Sequence, residues 1–101
     1  MVLAAAQEAN VARVVVTSSV AAIMCLGLKD TTLTEADWCA PEKSFSTYQK
    51  SKILAEKAAW DFVEDKKKAG HKCFELAVIN PTWIVGPTLH FSSAMGSLYV
   101  I

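Results

Sequence analysis

The stretch Ser46–Gly70, STYQKSKILAEKAAWDFVEDKKKAG, decides the fold. Ser46 followed three residues later by Gln49 has the spacing of a capping box, and Gly70 supplies a stop. No proline or glycine interrupts the residues between them, so the spacing predicts a helix from about Thr47 to Ala69. Tyr48, Lys52, Ala55, Ala59 and Phe62 recur three or four residues apart and form one stripe. Ile53, Ala58 and Val63 widen its apolar surface, and the small alanines would let another backbone come close. The mixed-sign run Glu64-Asp65-Lys66-Lys67-Lys68 reads as the solvated end of this helix.

Working outward, a strand is expected on each side. Upstream, Arg13–Ser19 (RVVVTSS) places consecutive valines between polar flanks, the pattern of a parallel strand buried on both faces. Downstream, Phe74–Ile79 (FELAVI) reads as a second buried strand, ended by Asn80-Pro81 because proline cannot donate to the ladder. Met1–Asn10, rich in alanine, reads as a helix. Ala21–Phe45 is loop-like and long for a connection, which points to a functional segment. Within it Thr34-Glu35-Ala36-Asp37 has capping-box spacing and predicts a short helical turn. Thr82–Ile101 contains Gly86, Pro87 and Gly96 and begins as loop. The order helix–strand–loop–helix–strand is half of a doubly wound α/β sheet.

The chain has 101 residues, enough for one domain at most, and its 52% hydrophobic and 20% charged composition is that of a packed globular protein. Ten basic and ten acidic side chains cancel, leaving no excess charge to draw nucleic acid or an anionic membrane. No apolar run approaches the ~20 residues that cross a bilayer. The N-terminus lacks the basic flank of a signal peptide. Cys25, Cys39 and Cys73 match no metal spacing, so reduced thiols in a cytoplasmic protein are the simplest reading.

Tyr48 and Lys52 lie four apart and share a helix face. By spacing alone, a surface stacking pair is the default reading. An ammonium held beside a phenol favours the phenolate, however, and such a pair on a rigid helix can relay a proton to a carbonyl oxygen. The Arg13 strand ends in Thr17, Ser18 and Ser19, at the sheet edge where ligands bind in open α/β sheets. A serine hydroxyl there can donate a hydrogen bond to the same oxygen. Asn80-Pro81-Thr82 reaches the same edge from the other strand. These hydroxyls could also do no more than satisfy the strand ends.

Taken together, RVVVTSSVAA (Arg13 to Ala22), YQKSKILAEKAAWDF (Tyr48 to Phe62) and NPTWIVGP (Asn80 to Pro87) resemble the extended short-chain dehydrogenase/reductases. Within that NAD-dependent epimerase/dehydratase superfamily they are most similar to the dihydroflavonol, cinnamoyl-CoA and methylglyoxal reductase group. The resemblance implies a Rossmann-type sheet, NAD or NADP as cofactor, and a small carbonyl or alcohol as substrate. It implies that Tyr48 protonates the substrate oxygen and that Lys52 favours the ionised tyrosine and bonds the nicotinamide ribose. Ser19 resembles the catalytic serine. Thr17, Ser18, Pro81, Thr82 and Ile84 resemble residues along the nicotinamide, and Ser97 a late serine near the phosphates. Trp38 resembles a loop tryptophan of the group, against the plainer reading of packing. Trp60 and Phe62 read as core or interface residues, and His71 and His90 as solvated loop histidines. Dimer contacts through the helices 1–10 and 47–69 are also implied.

The family carries a glycine-rich turn after its first strand, where backbone N–H groups meet the pyrophosphate. The four glycines of this chain, at 27, 70, 86 and 96, form no such cluster. The comparison implies that residues 1–101 are a fragment of an NAD(P)-binding Rossmann-type reductase domain, without its glycine-rich N-terminal half and its C-terminal substrate part. The chain alone is then expected to bind NADPH poorly and to turn over no substrate. Two function classes follow. One is an oxidoreductase that reduces a ketone or aldehyde, with a sugar epimerase/dehydratase or a 3β-hydroxysteroid dehydrogenase as the runner-up within the class. The other is a catalytically inactive truncated chain or a helix-mediated interaction module.

Overall fold

The structure is a computed structural model and describes residues 2–24, 32–40 and 45–84. It contains helix α1 (Val2–Glu8), strand β1 (Arg13–Thr17), a 3-10 turn (Val20–Ala22), helix α2 (Thr47–Lys68) and strand β2 (Glu75–Ile79). The strands pair in parallel, from Arg13 opposite Glu75 to Thr17 opposite Ile79. Parallel strands cannot be joined by a tight hairpin, so the connection must cross over, and α2 is that crossover. The result is a β–α–β unit, part of a Rossmann-type α/β sheet.

Helix α2 begins and ends where its sequence says. Ser46 is extended, and its hydroxyl oxygen accepts the Gln49 N–H at 3.1 Å. Only half of the capping box forms, because the Gln49 side chain reaches instead to the Met24 carbonyl at 3.0 Å. At the other end Gly70 adopts φ 75°, its N–H bonds the Lys67 carbonyl, and the His71 N–H bonds the Lys66 carbonyl. That is a Schellman motif, which needs a left-handed residue just past the helix. Helix α1 closes the same way, with Asn10 at φ 54° as the left-handed residue and bonds from Asn10 to Gln7 and from Val11 to Ala6. Lys66, Lys67 and Lys68 complement the negative end of the α2 dipole, and Lys68 pairs with Glu64 at 2.7 Å. That exposed pair, with its hydrogen bond, raises the Lys68 ammonium pKa above its ordinary value.

A Cβ at Gly70 would meet no atom within 4 Å, so a substitution there carries only the backbone penalty. Gly70→Ala is expected to destabilise the chain by about 1 kcal/mol, and Gly70→Asn by less, since asparagine tolerates the left-handed region. Urea denaturation measures both. Equal stability of Gly70→Ala and the parent would contradict the motif.

The buried face of α2 is Ile53, Glu56, Ala59 and Val63, with Lys52 and Phe62 half buried. This corrects the predicted stripe, because Tyr48 and Ala55 lie outside it, as does Ala58. The helix turns this side to the Val20–Ala22 turn and to β2, and an acidic residue is tolerated there because it has a partner, described below. Phe62 stacks on Phe74 with ring centroids 6.1 Å apart. Ile53, the largest fully buried side chain among the described residues, packs in a cluster with Cys39 and Phe45.

Two further expectations are corrected. The strands are not buried on both faces: Val14, Val16, Leu76 and Val78 are half covered, whereas Val15 and Ile79 are 56% and 54% exposed. One helix cannot cover both sides of a sheet. On the open face Arg13 donates to Glu75 at 2.8 Å, an exposed pair worth about 0–1 kcal/mol. Nor are all three thiols reduced, because Cys39 is disulfide-bonded while Cys73 is free. Sequence spacing does not report the oxidation state of a thiol.

The Thr34–Asp37 segment forms half of the predicted capping box without becoming a helix, because the Asp37 N–H donates to the Thr34 carbonyl rather than to its hydroxyl. Asp37 accepts from the Thr34 N–H at 2.6 Å and from the Thr34 hydroxyl at 3.0 Å, closing a single turn.

Candidate active site

The site forms where both strands end at their carboxyl edge. Hydrogen bonding continues past the strands: the Ser18 N–H donates to the Ile79 carbonyl at 2.8 Å and the Val20 N–H to the Pro81 carbonyl at 2.9 Å. Pro81 gives the ladder no donor, but its carbonyl still serves as an acceptor. Ser19, held between these two bonds, is extended (φ −162°, ψ 149°) and caps the 3-10 turn. Its hydroxyl oxygen accepts the Ala21 N–H at 3.2 Å.

A cleft of about 190 Å³ opens beside this turn. Ser19, Tyr48, Pro81 and Thr82, all singled out from the sequence, line it together with Val20, Ala21, Met24 and Trp83, which were not. Tyr48 stands in the first turn of α2 and is 60% exposed, so its hydroxyl is open to a ligand in the cleft. The Lys52 ammonium lies 5.7 Å from the centre of the Tyr48 ring, a cation–π contact that puts a positive charge beside the phenol. The helical spacing therefore does bring the pair together, with the ammonium over the ring.

Thr17, Ser18 and Ile84 are not among the residues lining this cleft. Thr17 ends β1 with an exposed side chain, Ser18 is half buried, and Ile84 is exposed. Ser97 and His90 lie outside the described residues. His71 is exposed, as read from the sequence. Trp38 and Trp60 are exposed rather than packed in the core, and face a separate apolar cleft floored by Cys39 and Ile53. Among the described residues there is no cluster of His, Cys, Asp or Glu suited to a metal, and no helix long and apolar enough to cross a membrane.

The residues that sequence reasoning missed are those that fix the site. Glu56 is 4% exposed, and its carboxylate accepts from the Asn80 side-chain amide at 2.7 Å. The same amide nitrogen donates to the Ser19 carbonyl at 3.0 Å. Gln49 holds the far side of the turn through Met24. A signal for Glu56 was present, since it falls three residues from both Ile53 and Ala59 and seven from Val63, on the side of α2 that is buried.

No family model matches the chain. Among curated proteins it is 38% identical over 92 residues to a cinnamoyl-CoA reductase of Medicago truncatula, covering 83% of this chain and 26% of the relative. It is 36% identical over 105 residues to cinnamoyl-CoA reductase 1 of Petunia hybrida, covering 99% of this chain and 30% of the relative. It is 35% identical over 89 residues to an NADPH-dependent methylglyoxal reductase of Saccharomyces cerevisiae, covering 79% and 25%. The chain thus spans three tenths or less of the length of these relatives. The parallel β–α–β unit, the Ser19–Tyr48–Lys52 arrangement at its carboxyl edge and this similarity agree: the chain belongs to the extended short-chain dehydrogenase/reductases, in the group of the cinnamoyl-CoA and methylglyoxal reductases.

Proposed function

We propose that the chain carries the proton-transfer part of an NAD(P)H-dependent reductase acting on a ketone or aldehyde. The supporting observation is the cleft in which Ser19 and Tyr48 meet, with the Lys52 ammonium over the Tyr48 ring. In this reading the Tyr48 hydroxyl gives its proton to the substrate oxygen. The Ser19 hydroxyl donates a hydrogen bond to the same oxygen, and Lys52 offsets the negative charge left on Tyr48. A bound reduced nicotinamide supplies the hydride, so that one hydride and one proton convert the carbonyl to an alcohol.

The residues present fit one end of that cofactor. Pro81 and Thr82 offer a wall for the nicotinamide, and Lys52 a cation for its ribose. Nothing in the sequence offers a glycine cluster for the pyrophosphate. The chain should therefore bind NADPH no more tightly than reduced nicotinamide mononucleotide, as calorimetric titration of each will show. Affinity for NADPH about 100-fold higher, a difference of about 2.7 kcal/mol, would place a phosphate site in this chain and overturn the partition.

A second reading, an interaction module, draws on the open sheet face bearing Val15 and Ile79, on α1, which has no buried residue, and on the exposed Trp60 of α2. It predicts self-association through the helices 1–10 and 47–69, which Trp60→Glu should weaken in sedimentation measurements. A monomer at all concentrations would count against it.

A further inference from the structure

Among the described residues, the buried polar side chains are Ser19 and Glu56. One belongs to the proposed reaction site and the other lies two helical turns beyond Tyr48 on α2. They are joined through a single group. The Asn80 amide nitrogen carries two N–H donors, and it has two acceptors within reach, the Ser19 carbonyl at 3.0 Å and the Glu56 carboxylate at 2.7 Å.

A buried carboxylate is an inefficient way to stabilise a helix face, since an apolar side chain of similar size often does as well or better. Its effect is geometric. A bond to an ionised acceptor is short and directional, so it fixes the Asn80 amide and, through it, the backbone at Ser19. The neighbouring bonds, Ser18 to Ile79 and Val20 to Pro81, hold the serine segment to the β2 side only. The Glu56–Asn80–Ser19 chain links that segment by hydrogen bonds to the middle of α2.

We infer that Glu56 and Asn80 are positioning residues, a buried clamp that sets Ser19 against the helix bearing Tyr48 and Lys52. The inference rests on the reading of Ser19 and Tyr48 as the reaction site. Removing the carboxylate leaves the Asn80 amide free to turn, and the Ser19 carbonyl then loses its fixed donor.

Hydrogen exchange on the isotopically labelled chain tests the clamp, with the variants Glu56→Leu and Glu56→Gln. Leucine fills the space without an acceptor, and glutamine keeps an acceptor oxygen without the charge. Glu56→Leu is expected to retain the melting temperature yet speed exchange at the Ser18 and Val20 amides on the order of tenfold, the weight of one charge-assisted bond, while Ala59 within α2 is unaffected. Glu56→Gln is expected to restore most of that protection. Should Glu56→Leu fail to fold, the double variant Glu56→Leu with Asn80→Leu removes both polar groups together and is expected to show the same local loss. Wild-type exchange in the leucine variants, or a glutamine variant no better than leucine, would overturn the clamp. In carbonyl-reduction assays with each segment grafted in place of the matching part of the Petunia cinnamoyl-CoA reductase 1, the leucine variant should lose kcat with carbonyl KM unchanged, and the glutamine variant should recover it. If the exchange results hold while no graft, that of the parent sequence included, reduces a carbonyl, the clamp stands and the reductase reading fails.

Discussion

Tyr48→Phe is expected to lower carbonyl reduction by about 10²- to 10⁴-fold, the usual contribution of one positioned acid, while leaving cofactor affinity nearly unchanged. The substitution removes one oxygen from a side chain that is 60% exposed, so packing is undisturbed. The aromatic ring beneath the Lys52 ammonium also remains. What is lost is the proposed proton donor alone. The measurement is best made where a complete cofactor site is assured, with this chain grafted in place of the matching segment of the Petunia cinnamoyl-CoA reductase 1, which it matches over 99% of its own length. NADPH affinity of the graft reports on its folding and kcat on its chemistry. A graft in which phenylalanine turns over as fast as tyrosine would remove Tyr48 from its role.

Ile53→Ala is expected to destabilise the chain by about 2–5 kcal/mol. Ile53 is 1% exposed and packs in a cluster with Cys39 and Phe45, so it joins α2 to the segment that precedes it. Truncation leaves a void that the surrounding side chains collapse only partly to fill. In a domain of this size such a loss is a large share of the total stability. Urea denaturation of the two proteins gives the difference. A change below about 1 kcal/mol would show that the cluster contributes little to the core. Leu54, next in sequence but exposed, serves as the control, and Leu54→Ala should change stability by less than about 0.5 kcal/mol.

Much of the fold was legible because its signals are local. Ser46 and Gly70 bound α2 through bonds that reach no more than five residues. The valine run of β1 and the FELAVI run carry their strand character in their own side chains. The stripe of α2 was misplaced because alanines at 55, 58 and 59 count as apolar on any face, and an acidic residue is not ordinarily assigned to a core. Only the partner at Asn80, distant in sequence, makes Glu56 compatible with burial. The strands were read as covered on both sides for a similar reason. Valine content reports what a strand tolerates, whereas coverage depends on how many helices pack against the sheet.

The same division runs through the site. Local chemistry placed Tyr48 and Lys52 on one helix face and Ser19 at a strand end, and the resemblance joined them into one apparatus. The sequence by itself determined the β–α–β order, both ends of α2 and the shared helix face of Tyr48 and Lys52, since each depends on backbone preferences and on spacing along a single helix. The tertiary structure alone decided that Cys39 is oxidised, that Met24 and Trp83 join the cleft, and that a buried carboxylate holds the serine segment to the helix. Those features depend on groups tens of residues apart meeting at bonding distance, and no local propensity encodes that.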